Sequence, residues 1–290
     1  MTSMRPAYVV QIVTPKKFIL NGLWFGPKKP KRAIIFVHGL TGSAFSMQRT
    51  VGALVDAKTA VITFNNRGFE QITSIKRMRG QKTEYVTAGA AHERFTDCSD
   101  DIQGAVNTVR KAGLKNVYLA GHSTGCQKAY YWASKSKGGR SVKGIVLLGP
   151  LSDYAIALAE DTKGSLKKSI AHARKLVKSG KPHELMPKDV GPWFVCDAQR
   201  FLSLYTPESV EDTFPYGQKK NPKLMNSVSV PTLVLLAGAD EHGDRPAREI
   251  VRWFEKHLNN GRVAIVPRVQ HSFHGGEKVV AREIRRFVTK

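Results

Sequence analysis

Strand-like and helix-like segments alternate along the 290 residues, which predicts an α/β fold with a mostly parallel, eight-stranded sheet flanked by helices. Three observations carry this expectation. Short β-branched and apolar runs recur between stretches of helical period. The pentapeptide Gly121-His122-Ser123-Thr124-Gly125 joins one such run directly to a helical stretch. The alternation then stops once, from about 152 to 229, after the sixth expected strand.

In chain order, 9–13 and 18–25 read as an opening strand pair. Residues 33–37 form a β-branched run ending at His38-Gly39, followed by helical spacing over 45–56. A buried strand at 60–64 ends in Asn65-Asn66-Arg67-Gly68, and a long polar loop extends from there to about Ala91. A helix is expected over 94–112, a strand over 117–120 and a helix over 124–135. Strands at 142–148, 232–236 and 262–266 follow, and 277–288 closes the chain as a helix.

The segment 152–229 reads as a helical cap or lid inserted into a core made of 1–151 and 230–290. Leu166, Ile170, Ala173 and Val177 recur at helical spacing with basic residues opposite. Beyond them lie Trp193, Phe194, Phe201, Tyr205, Phe214 and Tyr216, punctuated by prolines that include Pro192. Long inserted segments in compact domains commonly carry function.

Composition excludes several classes. Hydrophobic content of 41% argues against disorder, and no apolar run is long enough to span a bilayer. The first ten residues lack a continuous apolar core, so no secretory signal is expected. Cys98, Cys126 and Cys196 are too far apart for a metal ribbon and suit reduced thiols in a cytoplasm. A net charge of +23 is large, yet the basic residues are scattered along the chain. The densest run, Lys28-Lys29-Pro30-Lys31-Arg32, falls between two strands and reads as a solvated turn. No basic stretch is interleaved with aromatics, so a specific nucleic-acid partner is not expected. The positive field instead suggests an anionic small-molecule substrate.

A serine between two glycines, at the turn from strand to helix, is the setting of a nucleophile elbow. Its hydroxyl needs a base, and the base needs an orienting carboxylate. Asp240 follows the run 232–236, with Glu241 and Asp244 as competitors. His271 follows the last expected strand, with His274 as a competitor. Ser123, Asp240 and His271 thus stand in the chain order of such a triad. Two N–H donors should receive the oxyanion: that of Thr124, after the nucleophile, and that of Leu40, in the loop after 33–37. His38 and His122 read as residues that hold loops by hydrogen bonds. This chemistry needs no metal and no organic cofactor.

Together, His38-Gly39, Asn65-Asn66-Arg67-Gly68, the Ser123 pentapeptide and Gly238-Ala239-Asp240-Glu241 resemble the α/β-hydrolase superfamily, over nearly the whole chain outside the insertion. The stretches His122 to Gln127 and Arg200 to Leu204 are similar to a branch containing fungal siderophore-ester hydrolases and many prokaryotic relatives. After Glu241 the chain departs from that pattern, with His242-Gly243-Asp244 in place of a hydrophobic–proline ending. The resemblance implies a serine esterase working through an acyl-enzyme. Amidase, thioesterase and acyltransferase chemistry use the same triad, and an inactive binding protein on this fold is the alternative outside catalysis.

Overall fold

A computed structural model describes residues 4–187 and 194–289; Pro192 and Trp193 of the insertion lie outside them. Among the described residues, ten strands form one sheet. They are β1 (Ala7–Val13), β2 (Phe18–Phe25), β3 (Arg32–Val37), β4 (Thr59–Phe64), β5 (Thr73–Arg79), β6 (Lys82–Ala88), β7 (Val117–His122), β8 (Gly144–Leu148), β9 (Thr232–Ala237) and β10 (Gly261–Val266). The order is β10-β9-β8-β7-β3-β4-β2-β5-β6, with β1 antiparallel on β2. The eight expected strands are all present. The other two, β5 and β6, pair as a hairpin inside the segment expected to be a polar loop. Only Ile75 and Ala88 of that hairpin are buried, so its charged strands carry little hydrophobic period. Its cue is Gly80, whose φ of 62° supplies the first position of a two-residue turn.

The six strands from β4 to β10 in this order, namely β4, β3, β7, β8, β9 and β10, are parallel. Their side chains alternate between two cores, as the pleat requires. From β3, Ile35 and Val37 pack in one core with Ile102, Val106, Ala129, Trp132 and Phe254. Ile34 and Phe36 pack in the other with Val51, Leu54, Val280 and Ile284. The helices behind these cores are α1 (Gln48–Leu54), α2 (Cys98–Lys111), α3 (Thr124–Lys135), α8 (Ala247–His257) and α9 (Glu277–Val288). Helix α8 is not among the expected helices; Ile250 and Phe254 are its buried side chains, and Ala247, Val251 and Trp253 pack partly buried against the same core.

The insertion holds α4 (Asp153–Glu160), α5 (Ser165–Lys178), α6 (Ala198–Tyr205) and the short α7 (Lys223–Asn226). The buried face of α5 is Leu166, Ser169, Ala173 and Leu176, whereas Val177 of the expected stripe is exposed. Val177 keeps the 3.6-residue period with Leu166 but is the penultimate residue of α5, where the buried position is taken by Leu176. Ala157, Leu166, Ala173, Phe201, Leu204 and Tyr205 form a small core of their own. Phe214, Tyr216, Met225 and Val228 pack instead into the main core.

In chain order the parallel strands run from β3 outward to β4, then return to the other side of β3 with β7. This reversal leaves a crevice at the carboxyl ends of β3 and β7, where open α/β sheets place ligands. His38-Gly39 leaves β3 there, and Ser123 follows β7.

Candidate active site

Ser123 has φ 55° and ψ −127°, a strained conformation for a residue with a side chain. It is held by its own N–H, which donates to the Leu148 carbonyl at 3.0 Å, and by its carbonyl, which accepts from Cys126 N–H at 2.8 Å. The flanking glycines are sterically required. A Cβ on Gly121 would collide with the Gly125 carbonyl, and one on Gly125 with the Val37 carbonyl. Strand and helix therefore approach more closely than alanine permits. A Cβ on Gly39 would lie 3.0 Å from Cβ of Ser123, so the β3 loop lies directly against the serine.

That loop is held from β4. Asn65 Oδ1 accepts the Ala44 N–H at 2.7 Å, and the Gly42 carbonyl accepts the Glu70 N–H at 3.2 Å. Arg67 anchors the turn by donating from Nε to Asp101 Oδ1 at 2.7 Å and from its backbone N–H to Asp101 Oδ2 at 2.8 Å. The Asn65-Asn66-Arg67-Gly68 motif thus braces the loop that carries Leu40.

His271 is buried in the loop after β10. Its Nδ1 lies 2.8 Å from Asp240 Oδ2, and its backbone N–H donates to Glu241 Oε2 at 2.7 Å. The other oxygen of Asp240 accepts the His242 N–H at 3.0 Å, so the carboxylate is fixed at both ends. The two loops are joined by Gly238 N–H to the Val266 carbonyl at 2.8 Å and Ala239 N–H to the Val269 carbonyl at 2.9 Å. Asp244 lies apart, paired with Arg245 at 2.7 Å.

The neighbouring histidines act as struts. His122 donates from Nε2 to the His271 carbonyl at 2.9 Å, and its rings approach His271 at 4.8 Å and Phe273 at 6.3 Å. Burial, followed by repulsion from His271, lowers the His122 pKa to about 4. His38 donates from Nδ1 to the Gly39 carbonyl at 2.8 Å, and burial, with Lys128 nearby, lowers its pKa to about 3. Both are neutral at pH 7.

Ser123, His271, Leu40 and Thr124 all line one cavity of about 790 Å³, with Gly39, Gln127, Ile156, Phe194, Tyr205 and His274 among its other walls. Asp240 stands behind His271 rather than in the lining. The carboxyl side chains on the wall are Asp153 and Glu160, and no lysine or arginine lines it among the described residues. The net positive charge of the chain is therefore not expressed in the cavity lining.

Three contributors escaped the sequence reading. Gly149, with φ 59°, leaves room for the imidazole: a Cβ there would lie 3.1 Å from Cε1 of His271. Glycine next to proline after a strand carries no cue to that role. Asp153 accepts from Gln127 Nε2 at 3.0 Å, and burial, followed by repulsion from Glu211, raises its carboxyl to about 7. Behind the site, Glu93 pairs with Lys128 at 2.6 Å and Arg200 at 3.2 Å, and Arg200 pairs onward with Glu211. All four side chains are almost wholly buried. Arg200 thereby ties α6 of the insertion to Glu93 beside the core.

A family model described as "Protein of unknown function (DUF1749)" matches residues 85–288. No curated protein matches the sequence. Among solved structures, the siderophore hydrolase EstB from Aspergillus fumigatus aligns over 99% of this chain and 98% of its own, with a TM-score of 0.71 at 16% identity. The α/β hydrolase GrgF from Penicillium sp. aligns over 98% of both chains, with a TM-score of 0.68 at 13% identity. The esterase Pf2001 from Pyrococcus furiosus aligns over 98% of this chain and 90% of its own, with a TM-score of 0.62 at 15% identity. These likenesses extend across the whole chain, and the fold is that of the α/β-hydrolases.

Proposed function

This chain belongs to the DUF1749 family, and on its α/β-hydrolase scaffold we propose a serine hydrolase that cleaves a carboxylic ester through an acyl-enzyme. One observation carries the reading: Ser123 sits on a strained elbow in the same cavity as His271, whose Nδ1 lies 2.8 Å from Asp240. In this reading His271 takes the Ser123 proton as the hydroxyl attacks the carbonyl carbon. Asp240 holds the Nδ1–H tautomer and stabilises the imidazolium. The N–H groups of Leu40 and Thr124 receive the oxyanion, and Thr124 begins α3, whose positive end favours that charge. His271 then protonates the leaving alcohol, and water repeats the sequence to release the acid.

The α4–α6 part of the insertion acts as the cap, since Ile156, Phe194 and Tyr205 supply apolar wall to the cavity that Ser123 lines. Asp153 and Glu160 on that wall favour neutral or hydroxyl-bearing substrates, and the anionic ester suggested by net charge meets no lysine or arginine there. The three cysteines are buried free thiols, which agrees with a reducing compartment such as the cytoplasm.

The test is turnover of a panel of p-nitrophenyl esters by the full chain and by Ser123→Ala. The reading expects saturable hydrolysis that the substitution abolishes. Absence of hydrolysis across acyl lengths and charges, or turnover undiminished in Ser123→Ala, overturns it.

A further inference from the structure

A second cluster of ligating side chains lies away from the cavity. His92, His183 and Asp197 bring two imidazole nitrogens and one carboxylate oxygen within 4.8 Å of one another. Nδ1 of His92 and Nδ1 of His183 each lie 2.9 Å from the same atom, Oδ2 of Asp197. Asp197 is fully buried, and no lysine or arginine pairs with it among the described residues. Its other oxygen is engaged, since Oδ1 accepts the Arg200 N–H at 2.8 Å and caps α6. The carboxylate is therefore fixed with one oxygen directed at both imidazoles.

We infer that His92, His183 and Asp197 form a site for a divalent transition metal, zinc by donor chemistry. Two imidazoles and one carboxylate are a borderline-soft set that suits zinc over calcium or magnesium. Tetrahedral zinc with bonds of about 2.0–2.1 Å sets its donors roughly 3.3 Å apart. Opening the two 2.9 Å contacts by a few tenths of an ångström, and swinging the imidazoles so that their nitrogens close from within 4.8 Å toward the same separation, reaches that spacing. Each neutral imidazole gives up the hydrogen on Nδ1 and takes one at Nε2, a tautomer exchange through solvent that frees Nδ1 for the metal and releases no net proton. His183 is 69% exposed, so the site has an entry path and room for a water as fourth ligand. His92 and His183 precede Asp197 by 105 and 14 residues, a spacing that matches no metal motif.

The site has a structural consequence. His92 follows β6, whereas His183 and Asp197 belong to the insertion, where Leu185 bridges to Asp197 and Met186 N–H donates to the Cys196 carbonyl. A metal there staples the insertion to the core at Asp197, three residues after Phe194, which lines the cavity. The inference does not depend on the hydrolase reading.

The test is calorimetric titration of the metal-stripped full chain with zinc chloride, alongside thermal melts with and without zinc. Wild type is expected to bind one zinc and to melt higher with it. His183→Ala should weaken binding at least tenfold, and His92→Ala/His183→Ala should abolish both binding and the thermal shift. His271→Ala, in the separate histidine cluster near Ser123, should bind as wild type does. No zinc uptake by the folded wild type, or uptake unchanged in the double variant, overturns the site and leaves a hydrogen-bonded His–Asp–His clasp. Failure of esterase activity alone leaves it standing.

Discussion

Nδ1 of His271 stands 2.8 Å from Oδ2 of Asp240, while the backbone N–H of the same histidine donates to Glu241 at 2.7 Å. Two adjacent carboxylates thus hold one residue by different handles. Asp240 fixes the ring and its tautomer, and Glu241 fixes the loop. Asp240→Asn is expected to lower kcat by about 10⁴-fold with the fold intact, as loss of the orienting carboxylate does in serine hydrolases. Glu241→Gln keeps an acceptor for the N–H and should cost far less. Steady-state kinetics of both variants check this ordering.

Gly149 matters through what it lacks. Its φ of 59° disfavours any side chain, and a methyl there meets Cε1 and Nδ1 of His271 at 3.1 and 3.2 Å. Gly149→Ala is expected to cost about 1–3 kcal/mol of stability from backbone strain. It should also lower kcat more than it raises KM, because the displaced group is the base and not a binding surface. Denaturant unfolding and ester kinetics measure the two effects separately.

Glu93 lies between two buried cations. Attraction to Lys128 and Arg200 outweighs its burial and holds its carboxyl below the usual range. Removing the charge leaves Lys128 uncompensated at 0% exposure. Glu93→Gln is expected to destabilise by about 3–5 kcal/mol, read as a lowered urea midpoint.

Asp153 should make stability depend on pH. Its carboxyl is raised to about 7 in the folded chain, against about 4 unfolded, so between those values the native state binds the extra proton. The group's contribution is full below about pH 4 and is lost as pH rises through about 7. Asp153→Asn should therefore melt higher than wild type at pH 8, with the gap closing by pH 4. Thermal melts across that range check the sign.

The parts of this site legible from sequence were those that backbone geometry forces on local composition. Ser123 requires Gly121 and Gly125 within two residues, and a buried parallel strand requires the β-branched run that precedes it. Asp240 and His271 are expected together because strand order fixes where such groups can stand, and the two side chains lie 2.8 Å apart. The β5–β6 hairpin was not, since its strands are half exposed and carry Arg77 opposite Glu84 rather than an apolar alternation. The helical spacing of Leu166, Ile170, Ala173 and Val177 predicts α5, while which of its residues are buried depends on packing partners that the spacing does not record. Gly149, Asp153 and the Glu93–Lys128–Arg200 network depend on contacts between distant segments, which no local pattern records.

The most direct test of the account is covalent labelling of the full chain with a fluorophosphonate, followed by peptide mass spectrometry. The expected result is one stoichiometric adduct on Ser123, absent in Ser123→Ala and strongly slowed in His271→Ala. No adduct on the folded chain, or an adduct on another serine that persists in Ser123→Ala, would contradict it.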